Sequence, residues 1–365
     1  MRPGGGLQVM VAILAGMIEK DRGFHYSVLW SDPNTERIFK SRFEGNSNIS
    51  FFNPVGSTNN MRLFLWQMSR LKGYLKTLKA DIVLGLNHHF PCGVVPQIIY
   101  HVNVLRFERP IKTLFTSGEL ANRLRDWRAK SALKKASANA FESLYLQDLA
   151  KMRIGYVKNP NLIYIGLEAP NVMSAPNYQK DTKPSILTLT SPQPHKDNST
   201  LIKTLAVLNR LRPNVHWVLN IAGGTNQAAF SDLRLFANQL GVADQINWLG
   251  FQNHQSLAAL GAKALCLVST SRVESFCMVA AESMSWSCPV IVCDSTSMPE
   301  SVGDAGLLAS PGDADDFARK IISLYEDENK RHVLIEKGYT QIGTMSWGKA
   351  ADQFSALITT LVRAD

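Results

Sequence analysis

Ser269-Thr-Ser-Arg-Val-Glu274-Ser-Phe-Cys-Met-Val-Ala-Ala-Glu282-Ser-Met-Ser-Trp-Ser-Cys-Pro289-Val290 is the stretch on which the fold turns. The apolar run Ala264–Val268 leads into it and a second, Val290–Cys293, follows it. Between them lie a polar loop, a helix predicted over Val279–Ser285 and a turn marked by Pro289. Strand, loop, helix, strand is a parallel unit, because parallel neighbours need a crossover. Glu274 then stands in the loop at a strand's carboxyl end, and Glu282 follows eight residues later on the helix. Open α/β sheets bind ligands at that edge. Amides of Ser275, Phe276, Cys277, Met278 and Val279 would face out of the helix N-terminus, where the dipole favours a phosphate. A carboxylate there can accept hydrogen bonds from ligand hydroxyls.

The same alternation runs outward in both directions. Upstream, strands are predicted at Ser185–Thr190, His216–Ala222 and Ile246–Leu249, with helices at Thr200–Leu211, Ala228–Leu240 and Gln255–Leu260. Further back, residues 9–20 read as a helix and His25–Trp30 as a strand. Asn60–Lys79 reads as one long amphipathic helix with Met61, Leu65, Met68, Leu71, Leu75 and Leu78 on one side. Short apolar strands follow at Asp81–Leu86 and from Gln97, then helices across 117–150 and a strand at Leu162–Ile165. Pro170, Pro176 and Pro184 mark a linker. A last helix starts near Trp347. The expected organisation is therefore a domain over 1–170, a linker over 171–184, a domain over 185–346 and a terminal helix over 347–365. A half of this kind normally opens with a strand feeding a glycine loop. Only three residues precede Gly4-Gly5-Gly6, so either the half is not of this type or, as expected here, that strand lies upstream of residue 1.

A chain of 365 residues with 45% hydrophobic and 19% charged content has the composition of a globular protein with room for two cores. The longest strongly apolar run, Val9–Ile18, is half of what a membrane span requires. With no basic-then-apolar leader before it, a cytoplasmic location is expected. Of five cysteines, Cys266, Cys277, Cys288 and Cys293 fall in one apolar region without a C-x-x-C pair. They read as reduced thiols packed as small hydrophobes, with no metal site. Residues 1–170 carry 23 Lys and Arg against 12 Asp and Glu, whereas the rest is near neutral. The excess gathers at Arg62, Arg70, Lys72, Lys76 and Lys79, and again at Arg123, Arg125, Arg128, Lys130, Lys134 and Lys135. Such a one-sided field suits peripheral contact with an anionic membrane or a lipid-linked acceptor. No recognition helix, zinc finger or aromatic-interleaved basic stretch points to nucleic acid.

The segment around Glu274 and Glu282 resembles the E-x7-E signature of glycosyltransferase family 4, the group 1 transferases of GT-B fold. Glu274, Phe276, Glu282, Met284, Pro289 and Val290 match that family's pattern. Ser275, Cys277, Ser283 and Ser287 stand where it usually has small residues and glycines. Asp244–Phe251, Gln255–Leu260, Ala264–Ser271, Ser297–Gly306 and Ser346-Trp347 are similar to the family's continuation, over about 185–365. The resemblance implies two Rossmann-like doubly wound parallel sheets facing a cleft, with a C-terminal helix crossing back to the first domain. It implies transfer of a hexose-type sugar, with retention and without a bound metal or cofactor, from a nucleoside-diphosphate sugar to a saccharide or lipid-linked acceptor. Polysaccharide or lipopolysaccharide synthesis is the expected setting. A nucleotide-sugar epimerase or a non-catalytic nucleotide-sugar-binding protein on the same fold is the alternative.

Within that frame, Lys196 of Ser191-Pro-Gln-Pro-His195-Lys196-Asp-Asn can neutralise the donor diphosphate. The family usually adds a further Arg or Lys five residues earlier, where Ser191 or Pro192 stands here. Glu274 is expected on the donor sugar, Glu282 on the ribose hydroxyls, and Gly224 and Phe251 in loops shaping the same pocket. Gly5 and Gly6 would let backbone amides face the cleft. His101 aligns with a family histidine that hydrogen-bonds the donor sugar near the reacting carbon, or else it is a structural histidine. His88 and His89 lack a third ligand at metal spacing.

Overall fold

Runs of Val, Ile, Leu and Cys in the second half can be buried on both faces only inside a parallel sheet clothed by helices. The computed structural model, which describes residues 5–20, 22–30, 33–56, 60–87, 93–104, 107, 127, 129–167, 183–224 and 227–363, has that architecture. The chain divides into two units, Met1–Gly166 with Ser346–Asp365, and Leu167–Met345.

The second unit holds a six-stranded sheet. Its strands are β7 (Ser185–Leu189), β8 (Val218–Ala222), β9 (Ile246–Gly250), β10 (Cys266–Ser269), β11 (Val290–Cys293) and β12 (Gly306–Ala309). They run parallel in the order β12-β11-β10-β7-β8-β9. The chain thus leaves β7 in one direction through β8 and β9, then returns to the other side of β7 with β10. Every residue of β10 and β11 is buried. The crossover helices are set by local chemistry. Asn253 caps the helix His254–Lys263 by accepting from the Ser256 amide, Asp313 caps Ala314–Glu326 through Asp316, and Asp327 caps Glu328–Gly343 through Lys330. Trp217, Phe230 and Phe317 anchor the core at 1% exposure or less.

The first unit, taken by itself, has a four-stranded parallel sheet: β3 (Val83–Leu86), β4 (Gln97–His101), β5 (Ala138–Phe141) and β6 (Pro160–Leu162). A separate parallel pair joins β1 (Tyr26–Leu29) to β2 (Ile49–Phe52). Helix α1 (Gly5–Glu19) lies against the C-terminal helix α13 (Trp347–Arg363). A Cβ on Gly16 would sit 3.0 Å from Ala351 Cβ, so the two helices approach closely. Lys20 and Arg22 pair with Asp352 across the same contact, and Phe354 meets Tyr100 edge-on at 5.0 Å.

Three expectations are corrected. The single helix over Asn60–Lys79 is two, α3 (Asn60–Ser69) and α4 (Leu71–Thr77), broken at Arg70. Leu71 and Leu75 turn inward onto Trp66, Val83, Val94 and Val95. Leu65 and Met68, read as part of the same apolar side, remain 56% and 62% exposed. Helices across 117–150 give way to β5, whose Ala-Asn-Ala-Phe sequence carries no branched residue to announce a strand. Here full burial against β4 and β6 overrides propensity. The readings also passed over β2 and β12, and the helices Pro33–Phe43, Ala314–Glu326 and Glu328–Gly343. Gly4, His88, His89, Arg123, Arg125, Arg128 and most of the linker lie outside the described residues.

Close backbone approach makes one glycine indispensable. A Cβ on Gly166 would lie 2.1 Å from the Trp347 amide nitrogen and 2.6 Å from the Ser346 carbonyl carbon. Gly166→Ala should destabilise the first unit by about 1–3 kcal/mol, because neither backbone can move aside cheaply. Gly73, in α4, meets nothing within 4 Å. Gly73→Ala should stabilise by about 0.5–1 kcal/mol through helix propensity. Thermal unfolding of the two variants should therefore move in opposite directions.

Candidate active site

The strand order reverses between β7 and β10, so their carboxyl-end loops lie side by side. The register Cys266↔Ile186 and Leu267↔Leu187 sets the two strands against each other. Such a switch point leaves a crevice that open α/β proteins use for ligands.

The loop after β7 is fixed by short polar side chains. Thr190 Oγ1 donates to Asn198 Oδ1 (2.8 Å), and Asn198 Nδ2 donates to the Ser191 carbonyl (2.8 Å). Pro194–Lys196 forms one 3-10 turn, after which Asp197 adopts a left-handed conformation with φ 45°. Its carboxylate accepts from Ser199 Oγ (2.9 Å), Thr200 Oγ1 (2.9 Å) and Arg272 Nε (2.7 Å). Burial alone would raise the Asp197 pKa, but these hydrogen bonds outweigh it and hold the carboxyl below its ordinary value.

The loop after β10 is bound to the first. Thr270 Oγ1 donates towards the carbonyls of Lys196 and Asp197, each at 3.0 Å. The Arg272 amide donates to the His195 carbonyl at 2.7 Å. Farther along, the Glu274 amide donates to Thr296 Oγ1 (3.1 Å), and Ser297 Oγ donates to the Glu274 carbonyl (2.9 Å). Phe276 and Cys277 turn into the core at 5% and 1% exposure, and the helix Met278–Ser285 follows.

These anchors bring Lys196 and Glu274 together. Lys196 Nζ donates to Glu274 Oε1 at 2.6 Å, with the side chains 22% and 16% exposed. A charge-assisted bond of this length is stronger than a neutral one. The neighbouring His195 has its pKa lowered by burial and by the Lys196 charge, so its imidazole is neutral at pH 7. Glu282 is half-buried on the following helix. The Lys196–Glu274 pair offers a cation and a carboxylate at the carboxyl edge of a parallel sheet. Chemically, it can hold an anionic group together with hydroxyl groups.

The surrounding positions fall as follows. Ser275, Met278 and Val279 are half-buried. Of the five amides expected to point outward, that of Cys277 donates to Ser301 Oγ (3.1 Å) and that of Met278 to the Phe276 carbonyl (2.9 Å). Those two are therefore engaged within the protein. Gly224, two residues past β8, has φ 69°, and a Cβ there would meet the Phe230 ring at 2.5 Å, which only glycine avoids. Phe251, just past β9, is 49% exposed. Ser287, where the family usually has glycine, keeps glycine's left-handed conformation at φ 60°, with its hydroxyl bonded to Tyr339 Oη.

His101, Gly5 and Gly6 belong to the first unit. His101 ends β4 fully buried, stacked on Phe141 at 4.7 Å. Its Nε2 is 3.0 Å from Asn139 Oδ1. Asn139 Nδ2 donates to the Leu133 and Lys158 carbonyls, which fixes the amide so that Oδ1 must accept and Nε2 must donate. Gly6, in the first turn of α1, faces Leu86 at the end of β3. Thr270, Asp197, Arg272, Thr296, Ser297 and Ser301 were not singled out from the sequence. Only Asp197 carried a usable signal, as an Asp ahead of a predicted helix.

Burial pushes the Cys277 and Cys288 thiols up to about 12 and Cys293 to about 11, and raises Cys266 well above its ordinary value. The thiolate is the reactive form, so a raised pKa lowers reactivity at neutral pH. Iodoacetamide at pH 8 should leave these four unmodified in the native protein and alkylate them after unfolding, as read by peptide mass spectrometry.

Residues 173–341 match the family described as glycosyl transferases group 1. Over 108 residues the chain is 35% identical to O-antigen chain mannosyltransferase B of Escherichia coli, covering 30% of this chain and 28% of that protein. Over 169 residues it is 30% identical to D-inositol 3-phosphate glycosyltransferase of Corynebacterium glutamicum, covering 45% and 40%. The chain thus spans less than half the length of these curated relatives. The structure of Anabaena HepE in complex with UDP and glucose superposes with a TM-score of 0.73 at 18% identity, covering 99% of this chain and 97% of that one. Residues 173–341, just under half of the chain, thus match the glycosyl transferases group 1, and the chain shares the GT-B fold of the solved structures.

Proposed function

We propose that the protein is a glycosyltransferase that moves a hexose-type sugar from a nucleoside-diphosphate sugar to a saccharide or lipid-linked acceptor, with retention and without a metal ion. The observation that carries this reading is the Lys196–Glu274 contact at the switch point of the sheet. Lys196 neutralises the diphosphate as it becomes the leaving group, a task a metal performs in other enzymes. Glu274 accepts from hydroxyls of the donor sugar, and Glu282 from the ribose. The UDP and glucose bound in HepE support a nucleotide-sugar donor. The mannosyltransferase and inositol-phosphate glycosyltransferase relatives support sugar transfer. The role of His101, easing positive charge on the sugar carbon, rests on the family resemblance.

A thermal-shift panel of UDP, GDP, ADP and their common sugars, with and without EDTA, tests the donor class. Stabilisation by one nucleotide that survives EDTA is expected; no stabilisation by any would overturn the reading. Loss of a charge-assisted contact in Glu282→Ala should weaken nucleotide binding about 10–100-fold. Lys196→Ala should lower transfer more than binding. Proton NMR of the product should show the donor's anomeric configuration. Nucleotide-sugar binding without transfer to any acceptor would favour the non-catalytic alternative.

The acceptor side is proposed to work at an anionic membrane. Residues 45–80 contain no Asp or Glu but carry Arg62, Arg70, Lys72, Lys76 and Lys79. On α3, Arg62 and the outward-facing Leu65 and Met68 share one exposed side, and on α4 Lys72 and Lys76 are exposed. Basic residues beside apolar ones suit headgroups and the acyl boundary together. Among the described residues, no helix is long and apolar enough to cross a membrane. The chain should co-sediment with vesicles containing phosphatidylglycerol but not with pure phosphatidylcholine. Each Lys→Gln change on this side should weaken binding about fivefold. Equal binding to both vesicles would remove the membrane role.

A further inference from the structure

The two side chains given opposite tasks by the proposed function hold each other. Lys196 Nζ and Glu274 Oε1 are 2.6 Å apart and largely shielded from water. Their backbones have little freedom. Thr270 holds the Lys196 carbonyl, and Thr296 and Ser297 hold the amide and carbonyl of Glu274. The pair can therefore separate by side-chain rotation with these backbone anchors kept. Arg272, two residues before Glu274 in the same loop, has its guanidinium already bonded to Asp197 at 2.7 Å, and His195 is neutral. Among these described neighbours, Lys196 is the one cation that bonds Glu274.

We infer that the Glu274 carboxylate is a built-in occupant of the diphosphate position, and that the donor's sugar is what makes its displacement favourable. This rests on the reading of Lys196 as the diphosphate ligand. A bare nucleoside diphosphate draws Lys196 away and leaves Glu274 half-desolvated beside a second anion, an arrangement that costs free energy. A nucleotide sugar makes the same demand on Lys196 but offers hydroxyl donors to the released carboxylate. The exchange selects the donor over the spent nucleotide. It returns Glu274 to Lys196 once the sugar has left, which speeds release of the nucleotide product. Glu274 is thus a specificity-determining residue as well as a sugar ligand.

The test is calorimetric titration of the full chain with UDP, UDP-glucose, GDP and GDP-mannose, comparing wild type with Glu274→Gln. The amide can still meet sugar hydroxyls but has no charge with which to hold Lys196. For the nucleotide that the wild type binds, Glu274→Gln should tighten the free diphosphate at least fivefold. The matching sugar nucleotide should bind no better than before. The preference for donor over diphosphate should fall about tenfold, and product inhibition should strengthen in step. In a Lys196→Gln background the same change should give no gain, which separates exchange from a general effect of charge. Unchanged or weaker diphosphate binding in Glu274→Gln would overturn the inference while leaving the proposed function standing. Failure of the wild type to bind any of the four would remove both.

Discussion

Hydrogen bonding between β7 and β10 is the constraint on which the candidate site depends. About eighty residues separate these strands along the chain, yet their parallel pairing puts two loop mouths at the same sheet edge. β8 and β9 lie on one side and β11 and β12 on the other, and the two loops at the centre bond directly to each other. The Lys196–Glu274 contact is made across that pairing.

Given that adjacency, the fine placement is made by small polar groups together with the Asp197–Arg272 ion pair between the loops. Thr270, Thr296, Ser297 and Ser301 each bond a backbone amide or carbonyl of a loop. Short side chains lose little rotamer entropy when fixed, so they can hold a backbone at low cost. The long Lys196 side chain is then ordered by a single partner and stays exchangeable. Ser287 shows the same economy. It occupies a left-handed turn that glycine would enter more readily, and its hydroxyl gains a bond to Tyr339.

The first unit obeys a different constraint, close approach of backbones. Gly166 lies against the amide of Trp347, and Gly16 against Ala351, so the terminal helix joins α1 with almost no side-chain spacing. Tyr100 and Phe354 fill the layer beneath. The basic surplus of this half is carried outside that core, on α3, α4 and the exposed Lys130, Lys134 and Lys135 of the helical residues 129–135.

Much of the second unit was legible in the sequence, because strongly apolar strands and capped helices carry period and boundary signals that survive any packing. The Glu274–Glu282 spacing likewise places one carboxylate in a loop and one on a helix, as observed. The first unit was less legible. Ala138–Phe141 is a strand only because β4 and β6 flank it, and the apolar stripe from Met61 to Leu78 runs unbroken through a helix break. The contact between Lys196 and Glu274 could not be read at all, since strand order is a property of the assembled sheet and leaves no mark on either loop. Residue chemistry was therefore set locally by the sequence, whereas the pairing of those residues was decided by long-range hydrogen bonding between strands.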